Sequence, residues 1–569
     1  MHTIFYPESI VVIGVSERED NLAANIVRNL RAFGYSGALY AVGLRPGVVA
    51  GIPIATSVAE LPTGIGLAVI LTPAATVPGL LDACGAHGIR RAVIETGGFG
   101  EYSEAGRQLE AELISVARRW GMRFVGPNCI SAINMENGLC LPFIRLDPTA
   151  VKRGPVSVLA QSGGVSITYM VLLSEMGLGV NKVVSMGNKS NLDEVDYLNY
   201  LLDDPGTRVI CLYLESIEDG RRLIELARTA PKPIIVQKAN TTTASAQVAF
   251  SHTAALASDD RVLSAALAQA GIPRAQSFAS AATLAQGFCL PPVRGNPLVI
   301  ASRSGGHAVV AADLAAAAGF DLAPIPADFL AHVQSLNRAD VITLTNPLDL
   351  GAITDFRISG QVMQEALRRL DMDALLLIQT FGMGTETDLT LELGRRVQQA
   401  AGELGKPVAF CAFSHREQVD RLRAELDIPV FAEVEGAIEA LAASRDHYAR
   451  QARAQLLALP APSEARPHEV EALLCRDGAL GADLALGLLA AYGVPTAEWA
   501  VVDSVEGALV AAGAIGYPVA LKVLSPDIVH KSDVGAIALD IEDRETLRGA
   551  FPNLLARVRG QAPNLDLHG

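Results

Sequence analysis

The chain has 569 residues, half of them apolar and 19% charged, which excludes a disordered polymer and gives room for three to four domains at roughly 150 residues each. Lys and Arg number 46 against 61 Asp and Glu; the formal charge of −15 argues against a non-specific nucleic-acid binder and leaves anions to helix N-termini and glycine turns. Seven scattered cysteines (Cys84, Cys129, Cys140, Cys211, Cys289, Cys411 and Cys475) follow no disulfide or metal spacing, and neither a leader nor a membrane-length apolar run is visible, so a cytoplasmic protein without a membrane span is expected.

In chain order, β-type runs at 10–13, 39–42, 67–71, 92–94 and 123–125 alternate with helical stretches reaching about residues 31, 87 and 120. This alternation predicts a doubly wound α/β sheet with ligands at the carboxyl ends of its strands. Gly14-Val15-Ser16 closes the first strand without the full G-x-G-x-x-G, so it is either a phosphate-approach turn or a plain βα turn. The second strand runs into Val42-Gly43-Leu44-Arg45, with a cation where NAD binders place an acid. Arg45 suits a phosphorylated ribose, as in CoA or NADP, or is simply solvated. Cys129, in Gly-Pro-Asn-Cys, has no base beside it in sequence and reads as structural.

An internal repeat follows. Pro155 to Gly164 and Pro297 to Gly306 share a strand, a Ser-Gly-Gly turn and an apolar helix stopped by glycine (Gly177 and Gly319), at a constant offset of 142 residues. Two similar α/β domains are expected, at 150–290 and 296–452. Their turns, Ser162-Gly163-Gly164 and Ser304-Gly305-Gly306, either cradle phosphate at a helix N-terminus or are structural turns inherited by duplication. His252, among small residues in 249–256, could be presented on a loop as a phosphoryl acceptor, with Glu215 at a strand end to orient its other nitrogen. The residues alone favour a solvated or structural histidine, as for any one of ten histidines. A Pro- and Ala-rich stretch at 456–467 reads as a linker. Beyond it come a helix near 484–491, a strand carrying Lys522, which either faces a nucleotide phosphate or is solvated, and a turn at 530–535.

Together these segments resemble the NDP-forming acyl-CoA synthetases, relatives of succinyl-CoA synthetase. The resemblance runs through Gly98-Phe-Gly-Glu101 and Gly126-Pro-Asn-Cys-Ile-Ser131, then Gln161-Ser-Gly-Gly164, Met186-Gly-Asn-Lys189, Tyr213-Leu-Glu215 and Ser251-His-Thr253. It continues through Ser304-Gly-Gly306, Asn346-Pro-Leu-Asp349 and Phe381-Gly-Met-Gly384 to His530-Lys-Ser-Asp-Val-Gly535. It implies a Rossmann-like CoA-binding domain at 1–140, a flavodoxin-like ligase domain at 150–290 and a second at 296–452. A linker at 453–470 and the first part of an ATP-grasp domain at 471–569 complete the division.

The implied activity is that of an acid–CoA ligase. ATP phosphorylates His252, oriented by Glu215; the phosphoryl passes to a carboxylic acid, and CoA displaces it from the acyl phosphate. The implied contacts are Ser162, Gly163, Gly164, Ser304, Gly305 and Gly306 to phosphate, and Gly14, Ser16, Arg45, Pro73, Asn128 and Cys129 to CoA. Lys522 is implied for ATP. Mg²⁺ ligands are expected in the second half of the ATP-grasp domain, so no metal site is assigned here. The chain is expected to be truncated, one part of a split enzyme completed by a separate chain, or ATP-incompetent. Large apolar α/β surfaces are compatible with a homodimer. Against the family pattern, Arg45 stands in Val-Gly-Leu-Arg where Val-Asn-Pro-Lys is usual, Ala254 replaces a glycine, and Lys238-Ala-Asn240 replaces Lys-Ser-Gly. The alternative readings are a CoA-sensing regulatory module, as in acetyltransferase-fused relatives, and an NADP-dependent oxidoreductase resting on the first domain and Arg45.

Overall fold

The computed structural model describes the chain except residues 243–244, 246–259, 337–344, 352, 354, 383, 457–479, 529 and 562–565. The chain divides into two units, Met1–Leu456 and Leu457–Gly569. The expected linker therefore falls on the end of the helix Val434–Leu456 and on residues outside the described set. Among the described residues no helix is long and apolar enough to cross a membrane.

The larger unit contains three sheets. The first comprises β1 (Ser9–Ile13), β2 (Ala38–Val42), β3 (Gly47–Val49), β4 (Ile52–Ala55), β5 (Leu67–Ile70), β6 (Arg91–Ile94) and β7 (Arg123–Val125), in the order β3-β4-β2-β1-β5-β6-β7. β3 and β4 form an antiparallel edge hairpin where the sequence reading had a simple connection after Val42. Its strands are three and four residues long and one contains Pro53, too short for a clear alternation to register. The other strands match the expected positions, and two of the helices between them start on side-chain caps: Asn21 accepts from Ala24 N–H and Ser103 from Gly106 N–H.

The second sheet holds β8 (Ala132–Asn134), β9 (Leu139–Cys140), β10 (Arg153–Ala160), β11 (Val180–Ser185), β12 (Val209–Leu214) and β13 (Ile234–Lys238), ordered β13-β12-β10-β11-β8-β9. β10 to β13 are parallel; β8 adds antiparallel to β11, so this sheet begins before residue 150. The third sheet repeats the plan with β14 (Pro297–Ser302), β15 (Asp321–Leu322), β16 (Leu348–Asp349), β17 (Ala374–Thr380), β18 (Val408–Phe413) and β19 (Val430–Phe431), ordered β15-β14-β17-β18-β19 with β16 against β14. The repeated helices Gly163–Glu175 and Gly305–Ala317 both end before a left-handed glycine, Gly177 and Gly319.

The first and second sheets share one hydrophobic cluster, which runs from Val12, Val69 and Val93 to Leu159, Ile210 and Leu212. Polar bonds sew the same seam. Asn134 and Asn137 donate to the Phe5 carbonyl at 2.9 and 3.0 Å, and Asn29 donates to the carbonyls of Pro142 and Ile144 at 2.8 and 2.7 Å. Tyr6 donates to Glu136, and the fully buried Lys182 bridges Glu136 and Asp204. The third sheet has its own clusters on its two faces. In the smaller unit the helix Ala482–Ala491 and the strand Val519–Lys522 (β20) occur where expected; β20 pairs antiparallel with Ile537–Ile541 (β21), and residues 531–535 form the expected turn.

Candidate active site

Both repeated sheets have their topological switch point beside the first strand of the repeat, between β10 and β12 in one and β14 and β17 in the other. In the second sheet the residues following these two strands are Gln161-Ser162-Gly163 and Glu215-Ser216. All five border one cleft of about 1300 Å³. Ser162 is the N-cap of the helix Gly163–Glu175, yet its hydroxyl does not cap it, so hydroxyl and helix N–H groups are left for an anion. A Cβ on Gly163 would lie 2.4 Å from Ile130, so only glycine admits this approach of the first sheet's connection. Glu215 is half-buried, and its carboxylate has no hydrogen bond or ion pair among the described residues.

The backbone around Glu215 is gripped by side chains. Gln161 Oε1 accepts from the N–H groups of Glu215 and Ser216 at 2.8 and 2.9 Å. Lys238 Nζ donates to the Glu215 carbonyl at 2.8 Å, and Lys189 Nζ donates to the Ser216 carbonyl at 3.0 Å. Lys189 pairs with Glu194 at 2.9 Å, both side chains fully buried, and Glu194 in turn accepts from Glu218 N–H at 3.1 Å. Burial lowers the Lys238 ammonium pKa, with Asp260 opposing the shift. Glu194 stands at the start of the helix Glu194–Asp203, which is set by a capping box of Asp193 and Asp196. The roles of Lys189, Glu194 and Lys238 were missed in the sequence reading. The available signal was a lysine directly after Gly187-Asn188 and an acid opening a capped helix.

The first sheet closes one side of the cleft. Asn128, with φ +58, and Glu101 line it together with Asn188 of the second sheet. Glu101 accepts from Gly98 N–H at 2.6 Å and from Asn188 Nδ2 at 2.6 Å, and Asn128 donates to Asn188 Oδ1 at 3.3 Å. Cys129 does not line the cleft: it is buried, its thiol donates to the Ile94 carbonyl at 3.3 Å, and burial pushes its pKa up, away from a reactive thiolate. Near it lies Glu95, just past β6. Neither of its carboxylate oxygens is hydrogen-bonded, and burial raises its pKa well above the usual range, opposed only by Ser131.

Gly14, Ser16 and Pro73 gather at the first sheet's own switch point, between β1 and β5. Gly14 has φ +106, and a Cβ there would lie 2.1 Å from the Leu71 carbonyl oxygen. Ser16 N–H donates to Asn21 Oδ1 at 3.3 Å. Pro73 borders a cavity of about 350 Å³ with Arg18, Asn21 and Thr72. Arg45 is exposed on the bend before β3 and does not border this cavity.

Ser304, Gly305 and Gly306 open the equivalent helix of the third sheet and do not line the 1300 Å³ cleft. There Ser304 Oγ lies 2.9 Å from His307 Nδ1. By repeat and register Arg303 stands for Gln161, and Thr380 for Glu215, so the third sheet has no carboxylate at the position of Glu215. Lys522 is exposed on β20 of the smaller unit. His252 lies outside the described residues, within which no cluster of metal-ligating side chains occurs.

Known proteins match this architecture. A CoA-binding domain matches residues 8–135, a succinyl-CoA ligase-like flavodoxin domain 153–288 and an ATP-grasp domain 471–569. Acetate–CoA ligase (ADP-forming) I of Archaeoglobus fulgidus is 33% identical over the whole of this chain and 82% of its own. The chain belongs to the ADP-forming acid–CoA ligases. The alpha subunit of acetate–CoA ligase (ADP-forming) I of Pyrococcus furiosus is 34% identical over 78% of this chain and 96% of its own. Among solved structures, the dinucleotide-forming acetyl-coenzyme A synthetase 1 of Ca. Korarchaeum cryptofilum, in complex with phosphate and ADP, superposes with a TM-score of 0.73 at 28% identity, covering 81% of this chain and 99% of that one. As an ADP-forming acid–CoA ligase the chain is an acid–thiol ligase, and use of CoA and ATP fits its domains. The CoA-sensing alternative finds no support in these relatives.

Proposed function

We propose that this ligase forms acyl-CoA from a carboxylic acid, CoA and ATP through a phosphohistidine at His252 and an acyl phosphate. The observation that carries this is the convergence of a carboxylate, Glu215, unpaired among the described residues, and a helix N-terminus without a side-chain cap, Ser162-Gly163, in one cleft that Asn128 of the first sheet also enters. A carboxylate acylates poorly because oxide is its leaving group, and phosphorylation supplies a better one. A ring nitrogen of His252 attacks the γ-phosphorus and ADP leaves, while Glu215 orients the other nitrogen and stabilises the imidazolium. A substrate carboxylate oxygen then takes the phosphoryl, with the imidazole leaving. The CoA sulfur, losing its proton, attacks the acyl carbon and releases phosphate. Ser162, Gly163 and Gly164 stabilise the transferring phosphoryl, with Ser304, Gly305 and Gly306 assigned the same role by the repeat. Gly14, Ser16, Pro73 and Arg45 serve the CoA nucleotide, Asn128 and the Cys129 turn its thiol end, and Lys522 the ATP phosphates. The enzyme acts in the cytoplasm, where its scattered thiols stay reduced.

The test runs the second half backwards. The protein is mixed with phosphate and a panel of acyl-CoAs without nucleotide, and intact mass is read before and after acid. One acid-labile phosphoryl group is expected, absent in His252→Ala and strongly reduced in Glu215→Gln. Failure of every acyl-CoA to phosphorylate the protein would refute the relay.

A further inference from the structure

The cleft is larger than its phosphoryl centre requires. About 1300 Å³ exceeds the usual span of small-molecule sites. The wall beyond Glu215 is built from two neighbouring helices. Gly220–Thr229 presents Arg221, Ile224 and Arg228, three and seven residues apart on one face. Asp260–Ala270 presents Val262 and Leu263, each within about one turn of Ala266. Ile224 and Leu263 back onto the shared core, but Val262 is 66% exposed. An aliphatic patch inside a concave site is an unusual place to leave apolar surface wet.

The chemistry assigns this wall an occupant. The acyl carbon of an acyl phosphate carries the phosphate, the carbonyl oxygen and the acyl tail, and receives the thiol. With the phosphoryl at Ser162-Gly163 and CoA approaching past Asn128 and Asn188, the tail is left the side formed by the two helices. We propose that the acid used by this enzyme carries an apolar tail longer than that of acetate, seated on Ile224, Val262, Leu263 and Ala266; this rests on the ligase reading above. A methyl group would leave most of that wall in water. Arg221 and Arg228 have no ion-pair partner among the described residues, and they line this side of the cleft together with Glu218 and Glu225.

The experiment compares acetyl-, butyryl-, hexanoyl- and phenylacetyl-CoA as phosphate-dependent phosphorylating agents of the full chain, reading kcat/KM for phosphoenzyme formation. Each buried methylene is worth roughly three- to fourfold, so hexanoyl-CoA is expected to exceed acetyl-CoA by on the order of tenfold or more even with partial burial. The phenylacetyl arm separates aryl from aliphatic tails. Val262→Trp and Ala266→Trp, which fill the wall, should each lower the hexanoyl-to-acetyl ratio by on the order of tenfold. Acetyl-CoA working as well as or better than the longer thioesters would overturn the tail site while leaving the ligase relay standing. So would Trp variants with an unchanged ratio. A protein phosphorylated by none of the four loses the relay, and the tail site with it.

Discussion

Replacing Lys189 by methionine isolates what holds Glu215 in place. Lys189 and Glu194 are fully buried at 2.9 Å, so the single change strands a buried carboxylate, a perturbation that costs about 3–5 kcal/mol. Replacing both residues by apolar side chains of similar size removes the stranded charge and should recover most of that loss. It does not restore the bonds to the Ser216 carbonyl and Glu218 N–H. Stability and activity should therefore separate: Lys189→Met low in both, Lys189→Met/Glu194→Leu near wild type in stability but still slow in phosphoenzyme formation. The two tryptophans, Trp120 and Trp499, lie one in each unit. Denaturant unfolding followed by fluorescence in a Trp499→Phe background thus reports the unit that matters. The reasoning fails if the single variant loses less than about 1 kcal/mol, or if the double variant regains activity along with stability.

Glu95 gives a pH signature. Its carboxyl is raised in the folded protein, so the native state keeps a proton that the unfolded chain releases above its ordinary pKa of about 4.3. Stability supplied by that proton is complete below this pH and falls by about 1.4 kcal/mol per pH unit above it, until the folded carboxyl itself ionises. Glu95→Gln should melt like wild type near pH 4.5 and progressively higher than wild type towards pH 8; equal differences at both would contradict the assignment. Gly14→Ala forces a Cβ against the Leu71 carbonyl at positive φ and is expected to cost about 1–3 kcal/mol. It should also weaken CoA binding by on the order of tenfold in calorimetry, and unaltered affinity would remove Gly14 from the CoA site.

Much of the architecture was legible because strand alternation and the 142-residue repeat are strong local signals, and the positions after β10, β12 and β7 carry Ser162, Glu215 and Asn128 into one cleft. The edge hairpin was not, since strands as short as 47–49 show no period. The grip on Glu215 was hidden for another reason. Lys189, Glu194 and Lys238 are charged residues that burial makes structural, and hydropathy assigns such residues to the surface. The backbone groups they hold lie 23 to 27 positions away, so the local lysine and the acid opening a capped helix mark the residues but not what they grip. Cys129 shows the converse: the motif placed it beside the cleft, but packing under Ile94 took its thiol out of reach.

The seam between the first two sheets has a consequence for how this enzyme can be taken apart. Its opening residues are mortar for the second sheet: Phe5 accepts from Asn134 and Asn137, and Tyr6 reaches the Glu136–Lys182 network. A cut near residue 140 would strip both pieces of shared apolar cover and strand Lys182 beside a half-empty network. Chimeras that exchange CoA specificity with a relative should accordingly move residues 1–290 as one cassette and preserve its contacts with the third sheet's last strand and closing helix, where Gln286 donates to the Val430 carbonyl at 3.2 Å and Gln451 to the Ala230 carbonyl at 2.9 Å.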